Sequence, residues 1–254
     1  MKAKTHHFVL VHGAGFGGWC WYKVADLLTK KGHTVSSLDM ASEGIDCTDA
    51  DKISTLEEYN KPLTDFLSGI SSTDKVILVG HSAGGYNLSH AMERFPHKIA
   101  SAVFVAAFMP LSGTTFSHSL NEVVSRIGSL KDTTFNHANG EENSPTSFKF
   151  GQLFSEQNLL QNSPSADKML TKTLLKKFPL WQEALTYSNE KYGSVFRAYV
   201  VAKEDLAIVE ELQRKMIADN PPQMVYEIEG SDHSAFFSCP DQLAQILVQI
   251  SIHM

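Results

Sequence analysis

One stretch constrains this chain more than any other. Lys75-Val76-Ile77-Leu78-Val79 runs straight into Gly80-His81-Ser82-Ala83-Gly84-Gly85, and a helical pattern then extends from Tyr86 to Phe95, ahead of Pro96. A strand with no polar face is buried on both sides, the situation of a parallel sheet covered by helices. Parallel neighbours need long crossovers, so strand and helix should alternate along the chain. They do: Phe8–Val11 reads as a strand, Trp19–Lys31 as a helix, Thr34–Leu38 as a strand, Leu56–Ile70 as a helix and Ile99–Ala107 as a strand. Helices on both faces of a parallel sheet follow. Right-handed crossovers place the loops after each strand along one edge, where ligands bind in such folds.

The alternation stops at Pro110. Residues 111–189 are richer in Ser, Asn and Thr and show helical fragments such as Ala166–Lys177, with no strong strand signal. It resumes with Val195–Val201, a helix near Ile208–Ala218, a strand at Met224–Ile228 and a last helix from Pro240. The expected organisation is a core of residues 1–110 and 190–254, with 111–189 inserted as a mainly helical cap. A length of 254 residues suits one such unit.

The pattern Gly80-x-Ser82-x-Gly84 between strand and helix is the signature of a nucleophile on a tight turn, as in α/β-hydrolases. A nucleophilic serine needs a base and an orienting carboxylate, which in that fold follow in the order Ser, Asp or Glu, His. Asp205 follows the strand Val195–Val201, with Glu204 its close rival, and His233 follows the strand Met224–Ile228 through a turn-rich stretch. Asp232, on the same turn, is poorly placed to orient the His233 ring, and His81 should point away from the Ser82 side chain. The oxyanion donors are expected to be the backbone amides of Ala83 and, from the loop His12-Gly13-Ala14-Gly15, of Ala14. Gly13-x-Gly15-x-x-Gly18, with Asp39 about twenty residues on, formally matches a dinucleotide fingerprint. His12 and the second glycine turn with its downstream partners weigh against that reading. Phe108, just past a core strand, is a candidate pocket residue. Of Phe135, Phe148, Phe150, Phe154, Leu159, Leu160 and Trp181, some should line an apolar pocket and most should form cap core.

At this point the chain resembles the plant methylesterase family. The resemblance rests on His7–Ala14, Trp19-Cys20-Trp21-Tyr22-Lys23, Val79–Gly85, Ala106-Ala107-Phe108-Met109-Pro110, Lys191–Val195 and Glu229-Gly230-Ser231-Asp232-His233. It implies an ester hydrolase with the triad Ser82, Asp205 and His233, oxyanion donors Ala14 and Ala83, and no cofactor or metal. The family includes esterases of methyl salicylate, methyl jasmonate and methyl indole-acetate, alkaloid esterases such as polyneuridine aldehyde esterase, hydroxynitrile lyases and a methylketone synthase. The lyases differ at two positions that would meet substrate: Thr or Asn stands in place of Gly13, and in one type Lys in place of Ser234. The synthase has alanine where Ser82 stands. Phe16, which the resemblance places in the substrate site, lies where many members carry histidine. The implied activity is cleavage of a methyl ester of a small apolar plant metabolite. A β-keto or β-aldehyde alkaloid ester that then loses carbon dioxide, a hydroxynitrile lyase and a non-catalytic receptor are the alternatives.

A net charge of −6 gives no reason to expect nucleic acid or an anionic membrane as partner. No apolar stretch is long enough to span a bilayer, and no signal-peptide pattern precedes the first strand. Cys20, Cys47 and Cys239 are odd in number and widely spaced, which suits a reducing compartment. A cytoplasmic protein is expected, with a small-molecule ester as its partner and a homodimer left open as its assembly.

Overall fold

The computed structural model describes residues 5–254; the first four residues, where the N-terminal reading begins, lie outside them. In chain order, β1 (His7–Val11), α1 (Tyr22–Lys30) and β2 (Thr34–Leu38) lead to α2 (Leu56–Tyr59) and α3 (Lys61–Gly69). Then come β3 (Val76–His81), α4 (Gly84–Arg94) and β4 (Ile99–Val105). Here the chain leaves the sheet for α5 (Phe116–Ile127), β5 (Thr134–Asn136), β6 (Ser147–Lys149) and α6 (Gln152–Phe154), which continues as a π-helix over Ser155–Leu159. After α7 (Ser165–Leu174) and β7 (Phe178–Pro179) it returns with β8 (Phe196–Ala202), α8 (Glu210–Asp219), β9 (Met224–Ile228), α9 (Ala235–Ser238) and α10 (Pro240–Ser251).

Among the described residues, six strands pair in the order β2-β1-β3-β4-β8-β9, every neighbour parallel. The central β3 is buried along its whole length, as its uninterrupted apolar run requires. The outermost β2 and β9 retain exposed positions. From β1 the chain goes outward to β2 and then back across to β3. The carboxyl ends of β1 and β3 therefore flank the point where the winding reverses, the usual place for a ligand crevice.

Three local details depart from the sequence reading, each for a backbone reason. The single helix expected over 56–70 is two, parting at Asn60, because Pro62 enters the first turn of α3 and has no amide to continue the ladder. The strand expected to reach Ala107 ends at Val105, since Ala106 adopts φ 43°. Within residues 111–189, β5, β6 and β7 form an antiparallel sheet that the sequence did not signal. At two or three residues apiece, these strands are too short to establish a period-2 pattern.

Candidate active site

Ser82 follows the last residue of β3 at φ 53°, in the left-handed region that costs a non-glycine residue roughly 1 kcal/mol or more. Three backbone hydrogen bonds hold it there. Its amide donates to the Val105 carbonyl (3.3 Å), and its own carbonyl accepts from the amides of Gly85 (3.1 Å) and Phe108 (3.0 Å). The turn delivers the Ser82 side chain to the sheet edge and starts α4 two residues later, with Ala83 as the N-cap. Close approach dictates two glycines. A β-carbon on Gly84 would stand 2.7 Å from the His12 carbonyl oxygen, and one on Gly13 would stand 2.7 Å from the Ser82 β-carbon.

His233 and Asp205 arrive on the loops after β9 and β8, both almost fully buried. The His233 Nδ1 lies 2.7 Å from the Asp205 Oδ2. The other carboxylate oxygen accepts from the amides of Ala207 (2.7 Å) and Ile208 (2.9 Å), which fixes the plane of the group. Burial pushes the Asp205 carboxyl above its usual range, opposed by the attraction of His233 and by these hydrogen bonds. With Nδ1–H donated to Asp205, the His233 Nε2 carries the lone pair. His233, Ser82, Ala14 and Ala83 all line one small cavity of about 30 Å³. Among the described residues, neither the Ala14 nor the Ala83 amide donates to a protein acceptor. A pair of uncommitted amides beside a serine and an aspartate-bound imidazole is the arrangement that acyl transfer requires.

Residues 8–246 match the model of the alpha/beta hydrolase family. The chain belongs to that family. Within it, the chain falls among plant methylesterases. It is 41% identical to methyl jasmonate esterase 1 of Vitis vinifera, over 98% of both chains. It is 40% identical to a putative chloroplastic methylesterase 12 of Arabidopsis thaliana, over 98% of this chain and 72% of that one. Among solved structures, tomato methylketone synthase I with 2-tridecanone superposes with a TM-score of 0.92 at 37% identity, covering 98% of this chain and 99% of the other.

In this hydrolase the rivals of Asp205 have other tasks. Glu204 is exposed and accepts from the Asn162 side chain (2.7 Å). Asp232 is buried but binds the Ser234 amide (3.0 Å), the Asn162 amide (3.0 Å) and the Ser163 hydroxyl (2.8 Å). It ties the His233 turn to the segment between β4 and β8 and leaves the imidazole alone. Asp39, the apparent ribose partner, instead clamps its own loop region by accepting from the amides of Gly18 (2.6 Å) and Ile45 (3.1 Å).

His81 has more to do than the sequence reading gave it. Its ring centroid lies 4.5 Å from that of His233, and its Nε2–H donates to the His233 carbonyl (2.9 Å). Burial, and next the proximity of His233, hold His81 well below the usual imidazole range.

Of the pocket residues read from the sequence, Phe108 lines the cavity. Phe16 does not: it is buried in an aromatic cluster, stacked on Trp19 (5.6 Å) and edge-on to Phe236 (5.9 Å). Gly13 lies against Ser82, beneath the cavity wall. Ser234 is fully buried outside the wall. Of the seven apolar residues flagged between 111 and 189, Phe148, Phe150, Phe154 and Leu159 line the cavity, so lining is commoner than expected. Phe116, Leu120 and Val123 complete the wall from α5. Their spacing of four and three residues is a helical stripe that the sequence displayed.

Proposed function

We propose that this chain hydrolyses the methyl ester of a small apolar acid through an acyl-enzyme on Ser82. One observation carries the reading: Ser82, on its left-handed turn, shares a cavity with an aspartate-bound His233 and with the free amides of Ala14 and Ala83. His233 takes the Ser82 proton through Nε2 as the serine oxygen attacks the ester carbonyl. The Ala14 and Ala83 amides receive the oxyanion, and the positive end of α4 adds to their effect. Collapse expels methanol, which takes its proton from His233. Water, deprotonated by the same nitrogen, then releases the acid.

The remainder of the cavity wall is aliphatic and aromatic, which suits an apolar acid portion. Residues 111–189 act in this reading as a cap over the active site, with 1–110 and 190–254 as the core. The setting proposed is the cytoplasm, in keeping with three free cysteines. Among the described residues no helix is long and apolar enough to cross a membrane.

Methanol release from a panel of methyl esters tests the proposal, with hormone-type esters (jasmonate, salicylate, indole-acetate) first and indole-alkaloid esters second. Wild type should release methanol from at least one, and Ser82→Ala from none. Mandelonitrile should yield no cyanide. Ester turnover that survives in Ser82→Ala rules the mechanism out.

A further inference from the structure

Glu43 is fully buried on the loop between β2 and α2, far in sequence from the catalytic loops. A buried carboxyl group costs several kcal/mol unless each oxygen finds a partner, so its partners explain its presence. Oε1 accepts the Gly15 amide, and Oε2 accepts the Tyr59 hydroxyl. An ion pair is not the explanation. His12 Nδ1 lies 3.5 Å from Oε2, but burial lowers His12 to about 4, and its Nδ1–H is shared with the Gly13 carbonyl (2.9 Å). The Lys176 ammonium donates to the Asp46 carbonyl (2.6 Å).

We infer that Glu43 is a positioning residue of the oxyanion hole, gripping the Gly15 amide so that the Ala14 amide is held toward the ester carbonyl. This assignment rests on the hydrolysis reading above. Gly15 is held from both sides, its amide by Glu43 and its carbonyl by the Lys176 amide (2.9 Å). Gly13, on the other flank of Ala14, is wedged against Ser82. Tyr59 anchors the far end of the grip: it is buried, closes α2 and stacks on Trp181 (5.5 Å). With the Gly15 amide turned to Glu43, the neighbouring Ala14 amide is left for the cavity that Ala14 lines. Burial pushes the Glu43 carboxyl well above its usual range, opposed by the hydrogen bonds from Tyr59 and Gly15.

Glu43→Ala removes the grip. Glu43→Gln keeps a carbonyl oxygen for the Gly15 amide and an NH2 group that can donate to the Tyr59 hydroxyl oxygen. With an ester that wild type cleaves, Glu43→Ala should lower kcat roughly 10- to 100-fold with KM within about twofold, less than loss of an oxyanion donor itself. It should weaken binding of a trifluoromethyl ketone, which forms an oxyanion on Ser82, by about the same factor as kcat. Binding of the product acid should not change, and Glu43→Gln should restore kcat to within about threefold of wild type. A folded Glu43→Ala variant with wild-type kcat overturns the assignment, as does one that loses ketone and product acid alike. Should Glu43→Ala not fold, Tyr59→Phe decides. It should lower kcat and ketone affinity together by a few-fold at constant KM, and unchanged values overturn the assignment. A Ser82→Ala control run in parallel separates the two claims. Active wild type, inactive Ser82→Ala and unaffected Glu43→Ala remove the Glu43 assignment alone, whereas active Ser82→Ala removes the hydrolysis reading and Glu43 with it.

Discussion

The two walls of the cavity are built on opposite principles. At the sheet edge, polar groups are buried and held by directed hydrogen bonds: Asp205 between His233 and two amides, Ser82 by three backbone bonds, Asp232 by three donors. The facing wall, from residues 111–189, is a mosaic of rings, with Phe150 stacked on Phe154 (5.1 Å) and Phe148 tilted against Phe178 (5.3 Å). Hydrogen bonds are directional and weaken steeply when bent below about 120°, whereas ring contacts accept several geometries. In the proposed reaction, chemistry belongs to the first wall and substrate choice to the second. Asp51, on the core side, fastens them together by accepting from Asn136 (2.7 Å), Thr146 (2.7 Å), Ser147 (2.6 Å) and Lys177 (3.1 Å). Burial works to raise its carboxyl, but the bonds from Ser147, Thr146 and Asn136 bring it well below the usual range.

Substitutions at the two walls should separate cleanly. The largest effect is expected at Ser82→Ala, where kcat for ester cleavage should fall by about 10⁵-fold or more with substrate binding retained. Asp205→Asn should cost about 10⁴-fold in kcat, because an amide favours the wrong imidazole tautomer, while Glu204→Gln serves as an inert control. Equal losses in the two variants would break the assignment of Asp205.

The sheet edge should also be the more sensitive to acid. The His12 ring is fully buried; its Nε2 accepts the Met40 amide (3.0 Å), and burial lowers it from 6.5 to about 4. Between those values the unfolded chain binds the proton and the folded protein does not. Stability is therefore present above pH 6.5 and is lost as pH falls toward 4, by up to about 3 kcal/mol from this group. Thermal melts across that range should show the decline, and His12→Gln should make it shallower, with buried His81 contributing a decline of the same sign. A slope unchanged by His12→Gln would contradict the account.

The smallest effect is expected at the facing wall. Leu120 and Leu130 line both the catalytic cavity and an outer groove of about 520 Å³. Leu130→Ala should join the two and raise kcat/KM for bulky esters by about tenfold relative to small ones, with little change in kcat for the small. A drop in kcat for every ester would mean that this wall also shapes the chemistry.

The same contrast explains what the sequence revealed. The placing of Ser82, Asp205 and His233 on loops at one sheet edge was legible because each follows a strand whose apolar run is plain, and strand ends fix where a loop residue emerges. Phe108 was legible for the same reason. Phe16 misled: the resemblance placed it in the substrate site, but its side chain turns into the Trp19 and Phe236 cluster. The facing wall was harder, because β5 to β7 are too short to carry a period, and whether Phe148 or Trp181 faces the cavity depends on how that small sheet sits. The stripe Phe116, Leu120 and Val123 is visible in the helical spacing of α5, but spacing alone does not say that this face meets the cavity. Glu43 was beyond reach, since a lone carboxylate in a polar loop carries no local sign that it will meet Gly15 from across the fold.

The central claim is that Ser82 carries the acyl group. Rapid acid quench of the enzyme turning over its best methyl ester, followed by peptide mass mapping, reads this directly. The account predicts an increment equal to the acid less water on the peptide holding Ser82, absent in Ser82→Ala. An increment on a different residue, or continued turnover by Ser82→Ala with no acyl adduct, would contradict it.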